Sequence, residues 1–360
     1  MDQASELKWA EKGEYLDCLR VWQKVYSPEV FADDWGTPAE FQRFLIGRVD
    51  GQVAFAAVVC DYPTYVRGQV LDCAGIAAVG TLPEFRGSGT GQAMMDATVG
   101  LIREAGYQIA TLYAFREPFY RKSGFEASGW RWQIKCPIHQ LPKCECTLPV
   151  REVAPGDIRC VEECYVKFAK RFNGSCARFG PHWVRRLGKK PPQIYAVGDP
   201  VEGYLWCNPH GFWNDLEIGE IAWSTPRGYE ALLGLMRTLG INKSNAVWSE
   251  PPESGFARRF LDGNVEMVRH RPTMFAIVDA QTTLARMGAD CNQFSLEFMG
   301  ETIGTGSKVE LNRLQLAQAV MGSPSLAEMV RWGEVGGDER ALGYLQTILN
   351  PMPVCCMEFF

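Results

Sequence analysis

The segment TLPEFRGSGTG, residues 81–91, packs three glycines and an arginine into its last six residues. It lies between an apolar run (Ala74, Ile76, Ala77, Ala78, Val79) and a stretch of helical spacing (Met94, Ala97, Leu101). A strand-to-helix turn needs only one or two glycines, so the excess implies backbone that must touch something. A dinucleotide fingerprint requires G-x-G-x-x-G, whereas Gly87, Gly89 and Gly91 alternate with single residues and Gln92 follows. A Walker loop requires Lys after its last glycine, and Gln92 stands there too. What fits is R-x-x-G-x-G, with Arg86, Gly89 and Gly91 opening a helix. Successive amides at a helix N-terminus form an anion nest that the helix dipole reinforces, and positions without side chains let a pyrophosphate approach. Arg86 adds a cationic donor. The plainer reading is a glycine-rich turn that only links strand to helix.

The rest of the composition narrows the class. A chain of 360 residues suggests two or three domains of roughly 100–150 residues each. Apolar residues at 46% and charged ones at 22% are the balance of a soluble globular protein. The N-terminal stretch has no apolar segment of signal-peptide length, and no apolar run approaches the ~20 residues of a bilayer span, so a cytoplasmic protein without a membrane span is expected. A net charge of −5 argues against nucleic acid as a partner and fits a cationic substrate. Thirteen cysteines, an odd number, imply thiols, catalysis or metal rather than a disulfide framework. The tightest group, Cys136, His139, Cys144 and Cys146, lacks both C-x-x-C and H-x-x-x-H, so free thiols and no metal are expected. Adjacent Cys355 and Cys356 are poorly placed to bridge each other.

Along the chain, helix and strand signals give an α+β fold. Leu16, Leu19, Trp22 and Val25 recur at three-residue steps, the spacing of a core-facing helix. Asp50-Gly51 between two apolar runs predicts a hairpin. A strand is expected from Gly68 to Val79, then the glycine cluster and helix, then a strand over 107–115 and a short helix ended by Gly124. The pattern restarts near residue 146, which predicts units over 1–146, 147–270 and 271–360, the second with no glycine cluster before its helix.

Strand, TLPEFRGSGTG, the helix QAMMDATVGLIREAG, the strand YQIATLYAF and then YRKSGFEASG resemble the GNAT superfamily of N-acetyltransferases. The resemblance implies that Arg86, Gly87, Ser88, Gly89, Thr90 and Gly91 hold the pyrophosphate of acetyl-CoA. It further implies that the pantetheine arm pairs with Ala77, Ala78 and Val79, that Phe115 and Arg116 border the cofactor, and that Tyr120 faces the thioester sulfur. Beyond this domain, VREVAPGDI, RPTMFAIVDAQTTLARM and the tail ending in PMPVCCMEFF resemble the enhanced intracellular survival (Eis) N-acetyltransferase family over the full length. That implies a GNAT domain, a second GNAT-like domain without the cofactor loop and a C-terminal domain of sterol carrier protein fold. It also implies a homo-oligomer, a hexamer of two trimers, acetylating amines of aminoglycosides or polyamines. The family pattern assigns the general acid to Tyr120 and the general base to the terminal carboxylate of Phe360. A phenol of pKa near ~10 suits a thiolate leaving group, and an ammonium must lose a proton before it attacks. Without the family, Tyr120 reads as a packing aromatic beside Phe119 and Phe125, and Phe360 as a frayed end. Asp33, Asp34 and Trp35 are candidate substrate contacts, otherwise a solvated loop, and Glu358 is a further candidate cation partner. Two other functions fit the same features: a non-catalytic acyl-CoA or lipid-binding protein, and acetylation of protein lysines.

Overall fold

The computed structural model describes residues 5–143, 148–188, 191–207, 214–259, 263–270 and 273–358. Its frame is two seven-stranded sheets that repeat one topology. The first takes β1 (Ser5–Trp9), β2 (Gln42–Val49), β3 (Gln52–Asp61), β6 (Cys73–Thr81), β7 (Ile109–Tyr113), β16 (Thr273–Ile277) and β8 (Glu126–Ala127), in that spatial order. The second takes β10 (Val150–Val153), β11 (Gln193–Val197), β12 (Gly203–Cys207), β13 (Leu216–Trp223), β14 (Asn245–Glu250), β9 (Arg131–Pro137) and β15 (Glu266–His270). In each sheet four antiparallel strands lead to one parallel pair, β6 with β7 and β13 with β14. Those pairs are bridged by the helices α2 (Thr90–Glu104) and α6 (Pro226–Leu239). A parallel pair requires such a crossover, which explains the long amphipathic helices at these two points.

The hairpin expected at Asp50-Gly51 is present, with φ of 49° and 79° and Val49 opposite Gln52. The strand expected over Gly68 to Val79 is corrected. A separate ribbon, β4 (Thr64–Val66) and β5 (Gln69–Leu71), turns at Arg67-Gly68, where φ is 52° and 76°, and β6 starts only at Cys73. The helix α1 (Tyr15–Val25) buries Leu19 and Trp22, while Leu16 stays exposed.

The boundaries expected at 146 and 270 do not coincide with the sheets. β9, assigned to the first unit, pairs with β14 and β15 in the second sheet. β16, assigned to the third unit, pairs with β7 over five residues and with β8 on its other edge. All five residues of β16 are buried, which is the requirement of an interior strand covered on both faces. The chain thus lends a strand forward and later returns one.

After β16 come α7 (Ala280–Arg286), α8 (Arg313–Met321), α9 (Leu326–Arg331) and α10 (Glu339–Ile348). Among the described residues of this unit, the remaining strands form two short ribbons, β17 (Leu296–Phe298) with β18 (Glu301–Ile303) and β19 (Val309–Glu310) with β20 (Gly336–Gly337). Its buried Leu316, Val320, Met321 and Leu345 share one apolar cluster with Tyr62, Val66, Leu71 and Phe275, so its core is continuous with the underside of the first sheet. Two further helices, α4 (Glu162–Ala169) and α5 (Gly180–Leu187), bring aromatic side chains against β10–β13. Among the described residues no helix is long and apolar enough to cross a membrane.

Candidate active site

The site begins where a strand pair opens. β6 and β7 pair from Cys73 and Ile109 to Ile76 and Leu112 and then part, although β6 runs on to Thr81. On its other edge β6 carries a bulge: Ala77 faces Val58 but Gly80 faces Ala56, so two residues of β6 oppose one of β3. Ala78 within the bulge has φ of 48°, a left-handed value that an alanine adopts only when its surroundings impose it. The bulge turns the end of β6 away from β7 and leaves Ala77–Val79 along the edge of a cleft.

A cavity of about 900 Å³ fills that cleft. Ala77, Ala78 and Val79 line one side, Arg86, Gly87, Gly89 and Gly91 close one end, and Phe115, Arg116 and Tyr120 stand opposite. Gly87 and Gly89 have φ of 83° and 89°, and Gly89 is the N-cap of α2, so the loop needs residues free to adopt positive φ. Gly91 serves a different need, since a Cβ there would sit 3.0 Å from Oγ1 of Thr81. Arg86 Nε donates to the carbonyl of Thr81 at 2.8 Å, which lays its guanidinium along the cavity. Ser88 and Thr90 are not among the lining residues. The Ser88 hydroxyl donates to the carbonyl of Phe85 at 3.1 Å and meets Oγ1 of Thr90 at 2.9 Å, so the pair braces the loop from behind.

Tyr120 lies on the short helix α3 (Glu117–Arg121), 3% exposed, with the rings of Phe119 and Phe115 edge-on at 5.0 and 5.7 Å. Burial pushes its phenol above the ordinary value, so it keeps its proton at neutral pH and can serve as a donor. Two tyrosines that sequence reasoning missed also line the cavity, Tyr26 and Tyr113. Tyr113 ends β7 on the same face as Thr111 and Ile109, an alternation that could have found it. Tyr26 follows the last residue of α1, and nothing in the sequence signals its place.

The other expected site residues lie elsewhere. Asp34 and Trp35 line a second cavity of about 780 Å³, facing Phe41 and the residues Val184 and Arg185 of α5. Asp33 accepts a hydrogen bond from Gln23 Nε2 at 3.3 Å. The two cavities are joined by an aromatic series, with the ring of Phe31 edge-on to Trp35 at 5.0 Å and tilted against Tyr26 at 5.3 Å. Glu358 is buried, and its carboxylate is ion-paired with Arg178 and Arg186, so its cation partners belong to this chain. Phe360 lies outside the described residues, as do Cys144 and Cys146 of the cysteine and histidine group. Among the described residues no set of three or more His, Cys, Asp or Glu gathers as a metal site.

In the second sheet the corresponding helix end is already filled. α6 opens on Thr225-Pro226, and the Glu202 carboxylate accepts from Thr225 Oγ1 and Arg227 Nε, each at 2.6 Å. A carboxylate of the chain thus sits where α2 presents an open loop.

Residues 6–128 match the family model of the acetyltransferase (GNAT) domain. Solved structures resemble the whole chain. A probable N-acyltransferase of unknown function from Enterococcus faecalis has a TM-score of 0.85 at 17% identity, covering 99% of this chain and 100% of its own. A GCN5-related N-acetyltransferase from Anabaena variabilis has a TM-score of 0.85 at 18% identity, over 99% and 100%. Eis1 from Mycobacterium abscessus has a TM-score of 0.76 at 15% identity, again over 99% and 100%. No curated protein matches the chain. The part of the chain that holds the open cleft is thus an N-acetyltransferase domain of the GNAT type.

Proposed function

We propose that this chain transfers the acetyl group of acetyl-CoA to an amine of an aminoglycoside-like or polyamine substrate, by direct attack in a ternary complex. The observation that carries this reading is the cavity that runs from the Gly87–Gly91 loop, past the end of β6 that has parted from β7, to Tyr120. Loop amides and Arg86 suit a pyrophosphate, and the extended edge Ala77–Val79 suits the amides of a pantetheine arm. The same edge offers backbone N–H donors to the thioester carbonyl as negative charge develops on its oxygen. In the transfer the amine nitrogen bonds to the carbonyl carbon, the C–S bond breaks, and Tyr120 gives its proton to the departing thiolate.

The base we propose is the terminal carboxylate of Phe360. Glu358 supports it, because its main-chain carbonyl accepts a hydrogen bond from the hydroxyl of Tyr113 on the cavity wall. Two further residues reach at most ~7 Å from that point. For the acceptor, the second cavity combines the carboxylates of Asp34 and Glu40 with the ring of Trp35, which suits a cation with an apolar frame, while Arg185 of the same lining already lies over Phe41. By the same family resemblance we read the C-terminal unit as sterol carrier protein-like and the assembly as a hexamer, which light scattering on the purified protein tests.

The acceptor class is tested by comparing kcat/KM across aminoglycosides, polyamines and lysine peptides. The reading predicts the small polycations ahead of the peptides by about two orders of magnitude, and a preference for peptides would replace it with protein acetylation. Two residues added after Phe360 should abolish turnover at unchanged acetyl-CoA affinity. Full activity in such an extended, normally assembled protein would remove the terminal base.

A further inference from the structure

The second sheet has its helix end filled, yet it keeps a costly feature of its own. Arg178, 1% exposed at its side chain, sits among the rings of Tyr165, Trp183 and Trp206, at 4.0, 4.6 and 5.9 Å from their centres. Its NH1 and NH2 groups donate to the two carboxylate oxygens of Glu220 at 2.8 and 2.6 Å, and its Nε donates to Oε1 of Glu358 at 2.6 Å. Arg186 adds a second cation, 3.0 Å from Glu220 Oε2. The Arg178 side chain and two glutamates are thus buried together, with Arg186 half-buried beside them. A buried ion cluster is a poor way to gain stability, because desolvating the charges offsets most of their attraction. What such a cluster supplies is fixed geometry.

Three of its four members, Arg178, Arg186 and Glu220, lie on the stretch that carries β10–β13, and the fourth, Glu358, arrives with the C-terminal segment. That segment lies beside residues 173–175: Asn173 N donates to the carbonyl of Pro353 at 3.0 Å, Cys355 N to that of Asn173 at 2.9 Å, and Ser175 Oγ to that of Cys355 at 2.9 Å. Glu358 is therefore held at both ends. Its carboxylate is fixed in the charge cluster, and its carbonyl accepts from Tyr113 of β7, which lines the transfer cavity.

We infer that the second domain serves as the anchor of the C-terminal segment, with Arg178 and Glu358 as positioning residues that hold this segment against the transfer cavity. The inference rests on the transfer reading above for its purpose, but not for its geometry. A domain whose helix start is occupied by its own Glu202 carboxylate thereby has a task at the cavity of the first.

The test uses the full chain with Glu358→Ala, which removes the contact, and Glu358→Gln, which keeps shape and hydrogen bonding without the charge. Hydrogen exchange in the peptide from Pro351 to Glu358 should accelerate by about tenfold or more in Glu358→Ala and less in Glu358→Gln, with protection of the two sheets unchanged. In the same proteins kcat should fall by about tenfold or more, while the acetyl-CoA dissociation constant stays within about twofold. Unchanged exchange in the peptide overturns the anchor. Faster exchange with unchanged kcat overturns its positioning role, and a parallel loss of acetyl-CoA affinity and sheet protection assigns Glu358 to general stability instead. A wild-type protein that binds acetyl-CoA but acetylates no amine overturns the transfer reading, and the exchange measurement still decides the anchor.

Discussion

The hydroxyl of Tyr26 donates to the carbonyl of Val79 at 2.8 Å, tying the end of α1 to the stretch of β6 that has left its partner strand. A net hydrogen bond contributes about 0.5–1.5 kcal/mol, so Tyr26→Phe should weaken acetyl-CoA binding by at most about tenfold. It should leave kcat at saturation near the wild-type value. Calorimetric titration with acetyl-CoA and steady-state kinetics check the two halves, and a large fall in kcat would make Tyr26 a participant in the chemistry.

Tyr120 should behave in the opposite way. Its phenol is buried and held in the protonated form, and the proposed role is proton transfer to the thiolate. Tyr120→Phe should lower kcat by about a hundredfold or more with the acetyl-CoA dissociation constant nearly unchanged. Equal turnover in the variant would leave Tyr120 a packing residue among Phe115, Phe119 and Phe125.

A Cβ added at Gly89 would meet only open space, so what resists substitution there is its φ of 89°. Gly89→Ala should cost about 1–2 kcal/mol of stability and, by turning the loop amides, weaken acetyl-CoA binding by about tenfold or more. Thermal unfolding and titration measure both. Unchanged affinity would dissociate the loop from the pyrophosphate.

Glu220 gives the fold an acid-sensitive joint. Burial alone would raise its carboxyl pKa, but the attraction of Arg178 and Arg186 outweighs burial and holds it below the ordinary value of 4.5. With the folded value lowered, the unfolded chain takes up the proton first as the pH falls. The contribution is therefore complete above 4.5 and is lost as the pH falls toward the folded value. Glu220→Gln should cost about 3–5 kcal/mol at neutral pH, because Arg178 loses its main counter-charge, and the deficit should shrink in acid. Urea unfolding of both proteins at neutral pH and below the ordinary carboxyl value measures this, and a deficit independent of pH would contradict it.

The glycine-lined end of the cavity was legible because its signal is written in backbone terms. Gly87, Gly89 and Gly91 encode a loop conformation and a close approach, and their letters also exclude the other phosphate loops. Tyr120 followed only from family order, since a lone tyrosine between phenylalanines reads equally well as packing. The exchange of β9 and β16 was not legible, because alternating and continuous apolar patterns specify that a strand is buried but not in which sheet. The place of Glu358 escapes the sequence for a related reason. Its partner Arg178 is 180 positions away, and only the folded tail reveals that the carboxylate is already engaged.

The central claim is tested most directly by incubating the purified protein with acetyl-CoA and an amine, following free CoA thiol and the mass of the amine together. The account predicts thiol release that requires the amine, matched one for one by acetyl groups on it. Thiol release that does not depend on the amine, or tight acetyl-CoA binding with no transfer to any amine tried, would contradict it.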